Sequence, residues 1–220
     1  MIRITTVQFK EAATKIGCSV PVIKAVYKVE TAGSGFLEDG RLKILFEGHV
    51  FYNQLSKKGF DADKLALKYP KIIYKKWTKK HYIGGAAEWN RMSSAIAVCK
   101  EIGAPEMLAL NSASYGAFQI MGYNCTLCGF ATAQEMITAW NMGGEPSQLD
   151  GFVQYLKKSH LDDELRNVTI ANSTKERKAF WGKFAHGYNG PGYKGSLLYD
   201  WDDYDVKLEK EFQIETALAA

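Results

Sequence analysis

No stretch of this sequence stays apolar for the roughly 18–20 residues that a membrane-spanning helix requires, so stable membrane insertion is not expected. Nothing apolar follows Met1-Ile2-Arg3-Ile4-Thr5-Thr6 in the way a secretory leader needs, and the expectation is a chain made in the cytoplasm without a signal peptide. A disulfide framework is missing too, since Cys18, Cys99, Cys125 and Cys128 are only four thiols in 220 residues. Cys125-Thr126-Leu127-Cys128 has no second Cys-x-x-Cys, and His49, His81, His160 and His186 are not at finger spacing. Free thiols, no metal and no other cofactor are therefore expected. Internal repeats, low-complexity blocks and composed linkers are absent as well, which predicts a single domain over 1–220.

What is present is the composition of a folded globular protein, with 46% hydrophobic and 13% aromatic residues. The net charge of +4 is unevenly spread. Residues 201–220 carry six acids against Lys207 and Lys210, a balance of −4 that leaves +8 for residues 1–200. Between Lys57 and Lys80 stand nine lysines and two acids. Such a stretch is either a solvated face or an attractor for an anionic polymer.

The patterning is mostly helical. A first helix is predicted from about Thr6 to Ile16, stopped by Gly17, and Ser19 and Pro21 suit the start of a second. Further helices are expected over 48–57, 61–68, 86–102 and 105–110. Thr132 and Ser173 stand at capping-box spacing from Glu135 and Glu176, Ser147 can cap a helix through Ser159, and 205–220 reads as a last helix. Residues 35–46 read as one small β-hairpin, with Asp39-Gly40 as a two-residue turn.

The chemistry centres on Glu30. A helical advance of about 100° per residue puts Ile23, Val26 and Glu30 on one face, away from Lys24 and Lys28. Burial on that face and a position at the helix C-terminus both favour the protonated carboxyl. A carboxyl that keeps its proton near neutral pH is what a glycosidase general acid requires. With a two-residue turn, Leu37 pairs with Leu42 and Glu38 with Arg41, and the same register brings Glu47 opposite Ala32. That offsets the two carboxyls by roughly 6–7 Å along the strand, the spacing of an inverting enzyme. The alternative for Glu47 is a structural role.

Four blocks resemble the N-acetylmuramidase domain of phage endolysins. They are Val29-Glu30-Thr31-Ala32-Gly33-Ser34-Gly35-Phe36, Ile44-Leu45-Phe46-Glu47-Gly48-His49-Val50-Phe51, Ala109 through Gly122, and Phe184 through Pro191. They run in family order across about 20–200. A more distant similarity is to goose-type lysozymes and soluble lytic transglycosylases. The resemblance implies a mostly α, lysozyme-like helical domain without a separate wall-binding module. It implies Glu30 as the catalytic acid and places Glu47 in the family's Phe-Glu-x-His block, while the hairpin register makes Glu47 the expected base. For substrate binding it points to His49, Ser114, Tyr115, Gln119, Tyr188 and Asn189. Gly116, Gly122, Gly190 and Gly192 would let backbone approach a sugar, and Tyr115 and Tyr188 offer aromatic faces, whereas Tyr123 and Tyr193 read as ordinary core or turn residues.

The function so implied is hydrolysis of the β-1,4 bond between N-acetylmuramic acid and N-acetylglucosamine in peptidoglycan. The protein is expected to be a monomer that acts on the bacterial wall after synthesis in the host cytoplasm. One rival is a lytic transglycosylase, in which Glu30 alone serves as acid and base and 1,6-anhydro products result. Another is a non-catalytic glycan-binding or virion structural protein, which the presence of Glu30, Gln119 and Asn189 disfavours. A nucleic-acid-binding role for Lys57–Lys80 lacks any recognisable motif.

Overall fold

The computed structural model describes residues 2–31, 33–190 and 203–219. The fold is mostly α with a small antiparallel sheet. In chain order the helices are α1 (Thr6–Ile16), α2 (Val20–Thr31), α3 (Gly48–Lys57), α4 (Ala62–Lys68), α5 (Ala87–Glu101), α6 (Met107–Leu110), α7 (Ala133–Lys158), α8 (Asp162–Ile170), α9 (Thr174–Asn189) and α10 (Tyr204–Ala219). Three strands, β1 (Ile44–Phe46), β2 (Ala113–Tyr115) and β3 (Ile120–Met121), pair in the order β1-β2-β3.

Local chemistry sets most helix ends. Thr5 and Gln8 form a reciprocal capping box, and Gly17 closes α1 at φ 83°. Phe9, Ala12, Ala13 and Ile16 of α1 are buried at the i, i+3, i+4, i+7 spacing of a one-sided helix. Thr132 and Ser173 cap α7 and α9 by accepting the amides of Glu135 and Glu176. Ser147 does not cap a helix. The break in α7 falls earlier, at Gly144 with φ 68° and ψ −160°, and Pro146 follows in the first turn after it. There the Glu145 amide donates to the Ile2 carbonyl at 3.1 Å, so the N-terminal segment seals the break.

The hairpin expected over 35–46 is present only as a bridge between Phe36 and Leu42. The Gly40 amide donates to Leu37 O at 3.0 Å and the Leu37 amide to Arg41 O at 2.8 Å, with Gly40 at φ 86°. A three-residue turn of this kind inserts one residue and slips the register by one. The expected Leu37–Leu42 and Glu38–Arg41 pairs are therefore corrected. Past Lys43 the strand leaves the hairpin and pairs with β2, Ile44 facing Tyr115, Leu45 facing Ser114 and Phe46 facing Ala113. The Glu47 amide donates instead to Ser112 O, and Ala32, the partner expected for it, lies outside the described residues.

The buried side chains form one connected cluster, with Trp140, Trp181, Phe46, Phe51, Phe118, Phe152 and Phe184 fully enclosed. Helix α10 belongs to this packing despite its acidity. Glu209 accepts hydrogen bonds from the Arg177 guanidinium and from Trp181 Nε1 on α9, and Glu215 accepts one from Lys24 on α2 at 2.9 Å. Among the described residues no helix is long and apolar enough to cross a membrane.

Candidate active site

Helix α2 buries Val22, Ile23, Ala25 and Val26 and carries Glu30 into its last turn. The carboxyl is part-buried, and Oε1 accepts a hydrogen bond from the Tyr204 hydroxyl at the start of α10. Burial pushes Glu30 up to about 7, against the Tyr204 hydrogen bond and the nearby charge of Lys43, both of which favour the ionised form. The expected contribution of the helix dipole is offset: Lys43 Nζ donates to the Thr31 carbonyl at 2.8 Å and places a cation at that helix end. Lys24, expected on a solvent face, is covered by α10 through Glu215.

Tyr188 and Asn189, at the end of α9, stand with Glu30. Tyr188 donates its hydroxyl to the Phe118 carbonyl and stacks on Phe184, with Phe152 and Tyr155 edge-on. Burial raises its pKa well above the usual tyrosine value, and the Glu30 charge adds to that. The Asn189 side chain lies beside Tyr204. Pro191, Gly192 and Tyr193 lie outside the described residues.

The Phe118 carbonyl ties this corner to the β2–β3 turn, where Gln119 holds φ 46°, left-handed without being glycine. Such a conformation costs roughly 1–2 kcal/mol and persists only when the surroundings impose it. Here Gln119 Oε1 accepts from the Ser114 hydroxyl at 2.9 Å and Nε2 donates to the Gly116 carbonyl at 2.7 Å. Tyr115 is corrected. It is fully buried, with its hydroxyl donated to the Leu110 carbonyl at 2.7 Å, and offers no face to a sugar. The space beside Gly116 and Gly122 is also taken within the fold, because an added Cβ would meet Gln148 Oε1 at 2.6 Å and the Leu110 carbonyl at 2.3 Å.

The turn after Glu30 is anchored by a residue that sequence patterning missed. Glu145 is fully buried, and its carboxylate accepts from the Gly35 amide, the Tyr27 hydroxyl and Arg3, each at 2.9 Å. Gly35 is pressed so closely on the β2–β3 turn that a Cβ would lie 2.4 Å from Gln148 Oε1 and 2.7 Å from the Ala117 amide.

Glu47 lies just before α3. Its amide donates to Ser112 O at 2.8 Å, and its Oε2 accepts from the Tyr82 hydroxyl at 2.5 Å. His49 Nδ1 stands 3.3 Å from the same oxygen, and its ring stacks with Tyr74. A buried Glu88–Arg91 pair holds this region. Glu88 accepts the amides of Phe46, Ile83 and Gly84, and Arg91 donates to the Phe46 carbonyl. Burial works to raise Glu88, but those amides and Arg91 hold it below the usual carboxylate range.

Strand alternation now orders the site. Ile44 and Phe46 point into the core, so Lys43, Leu45 and Glu47 share the opposite face with Ser114, the partner of Leu45. Lys43 stands beside Glu30 at one end of this face, and Glu47 stands at the other. Four residues of strand separate the Lys43 and Glu47 backbones by roughly 13 Å. The shorter offset inferred from the hairpin, and the inverting geometry built on it, lose their basis.

Lys43, Tyr204, Tyr82 and Glu145 carried no sequence signal of a site role. Lys43 was legible only as a hairpin residue, and Tyr204 is 174 residues from its partner. Among the described residues no three His, Cys, Asp or Glu side chains converge as metal ligands. Burial pushes the thiols of Cys18 and Cys128 up to about 12.

Comparison with known proteins gives two findings. The family model described as N-acetylmuramidase matches residues 19–215. Among solved structures, the endolysin of Burkholderia phage AP3 is 33% identical, with a TM-score of 0.74 over 98% of this chain and 72% of that one. No curated protein matches in sequence.

Proposed function

The chain belongs to the N-acetylmuramidase family and is a peptidoglycan-cleaving enzyme; from that premise we propose that it hydrolyses the β-1,4 bond between N-acetylmuramic acid and N-acetylglucosamine, with Glu30 as general acid. The observation that carries this reading is the part-buried Glu30 carboxyl, raised to about 7 at one end of the sheet face that carries Lys43 and Leu45. Near neutral pH a large fraction of the molecules hold a proton there. Glu30 gives it to the glycosidic oxygen as the bond to the muramyl anomeric carbon breaks, and water completes the reaction at that carbon. Gln119, Ser114, Tyr188 and Asn189 orient the glycan beside Glu30, while Glu47 and His49 form the far end of the binding face. The enzyme works as a monomer on the wall, drawn there by nine exposed lysines between 57 and 80.

A second reading shares the fold and the acid. The roughly 13 Å strand offset between the two ends favours Glu30 acting alone, first as acid and then as base, with the muramyl 6-hydroxyl as nucleophile. Mass spectrometry of products from purified peptidoglycan separates the two. Hydrolysis leaves reducing N-acetylmuramic acid, whereas the transglycosylase route leaves 1,6-anhydro ends. Glu47→Ala supplies the complement: a loss of more than about 100-fold in turnover with glycan binding retained fits a base, and near-parent turnover assigns Glu47 to binding.

A further inference from the structure

Residues 69–86 link α4 to α5 as an irregular arm whose regular part is one 3-10 turn, Lys79–His81. Arg91 Nη2 donates to Lys71 O at 3.4 Å and to the Tyr74 hydroxyl at 3.3 Å, while Glu88 grips the amides of Ile83 and Gly84. A fully buried carboxylate is costly to desolvate unless it is paired, and the Glu88–Arg91 pair fixes the two ends of the arm against β1, Glu88 holding one and Arg91 the other. Between those ends Trp77 stands 56% exposed. Isolated exposed apolar side chains are ordinary on protein surfaces. Trp77 differs because the arm that carries it is anchored on both sides.

Trp77 lies beside Tyr82, whose hydroxyl donates to Glu47 Oε2 at 2.5 Å. One side chain thus separates the indole from the carboxyl at the far end of the sheet face. The Lys79 ammonium stands over the ring at 5.9 Å from its centre. Lys79 also lies within electrostatic reach of Lys207 on α10, one helical turn from Tyr204, which bonds Glu30. The Lys79 part of the arm therefore lies on the side of the molecule that α10 occupies.

We propose that Trp77 is the platform of a glycan subsite, its indole stacking on one pyranose ring of the strand whose cleaved bond lies at Glu30. This rests on the proposed muramidase reading. An exposed indole presents an apolar face of the kind that packs on the C–H face of a sugar. The two lysines nearby add a positive field, which suits a muramyl residue carrying an acidic peptide stem over a neutral N-acetylglucosamine polymer.

The test is binding of soluble glycan-strand oligomers, with and without peptide stems, to the full chain carrying Glu30→Gln, which prevents turnover. Adding Trp77→Ala should weaken binding roughly tenfold, the scale of one aromatic contact. Trp77→Phe, which keeps a ring but loses the N–H, should recover most of it. The indole N–H resonance lost in Trp77→Phe identifies Trp77 in the parent spectrum, and it should shift on titration. Affinity unchanged in Trp77→Ala, a resonance that stays put while others move, or equal losses in Ala and Phe would each overturn the platform. Parent protein that neither binds nor cleaves glycan strands would instead overturn the muramidase reading itself. Trp77 is exposed, so circular dichroism of both variants should match the parent.

Discussion

Replacing Glu30 by glutamine separates what this carboxyl does in catalysis from what it does to the fold. Folding raises its affinity for the proton, from an ordinary value of 4.5 to about 7. Its contribution to stability is then full below pH 4.5 and is lost as the pH climbs through 7. With one pH unit worth about 1.4 kcal/mol, and some discount for residual exposure, the loss amounts to about 2–3 kcal/mol at pH 9. Glutamine has nearly the same shape and never ionises. Urea titrations at pH 4 and pH 9 should therefore show the variant gaining about 2–3 kcal/mol on the parent between the two conditions. Lysis of purified walls should fall at least 100-fold in the same variant, because general acid catalysis contributes about 10²–10⁴. A stability difference that does not change with pH would refute the buried, proton-holding carboxyl. Activity within tenfold of the parent would refute its role as the acid.

Three further outcomes are expected. Tyr204→Phe removes a hydrogen bond that favours the ionised carboxylate, so the alkaline limb of the pH–activity profile should move up by about one unit; a downward move would contradict this arrangement. Gly35→Ala drives a methyl group to 2.4 Å from Gln148 Oε1, and thermal unfolding should show about 1–3 kcal/mol of destabilisation together with lowered activity. Changing the exposed Lys57, Lys58, Lys64 and Lys76 to glutamine should weaken binding to intact walls at low salt and change little at high salt, where screening has removed the attraction; equal losses in both would point to direct contacts.

What the sequence revealed and what it hid divide along physical lines. Thr5, Gly17, Thr132 and Ser173 act on backbone groups a few residues away, so the ends of α1, α7 and α9 were readable from spacing. The placement of Glu30 on the apolar side of α2 followed from helical periodicity alone. The hairpin failed because Asp39-Gly40 supports both a two-residue turn and a three-residue one with Gly40 left-handed, and a single inserted residue changes every later partner. Ser147 looked like a cap by composition, yet Gly144 breaks α7 first and Pro146 already occupies the following turn. Tyr115 is similar in kind, since β2 is the middle strand and is buried on both faces, which its three residues do not announce. Lys43 and Tyr204 reach Glu30 from opposite ends of the chain order, and local patterning carries no information about such meetings. The acids of residues 201–220 show in the sequence only as a balance of −4, whereas Glu209 and Glu215 are the residues that fasten α10.

That fastening has a consequence for how the enzyme comes into being. Glu30 is synthesised early, and the hydroxyl that holds its carboxyl follows 174 residues later. A chain emerging from the ribosome can form α2 and the strand face long before α10 exists to cover them. Until α10 docks, with Arg177 and Trp181 closing on Glu209 and Lys24 closing on Glu215, the acid has no tyrosine partner and one flank of α2 is bare. The surroundings of Glu30 are therefore completed only once α10 has docked on α2.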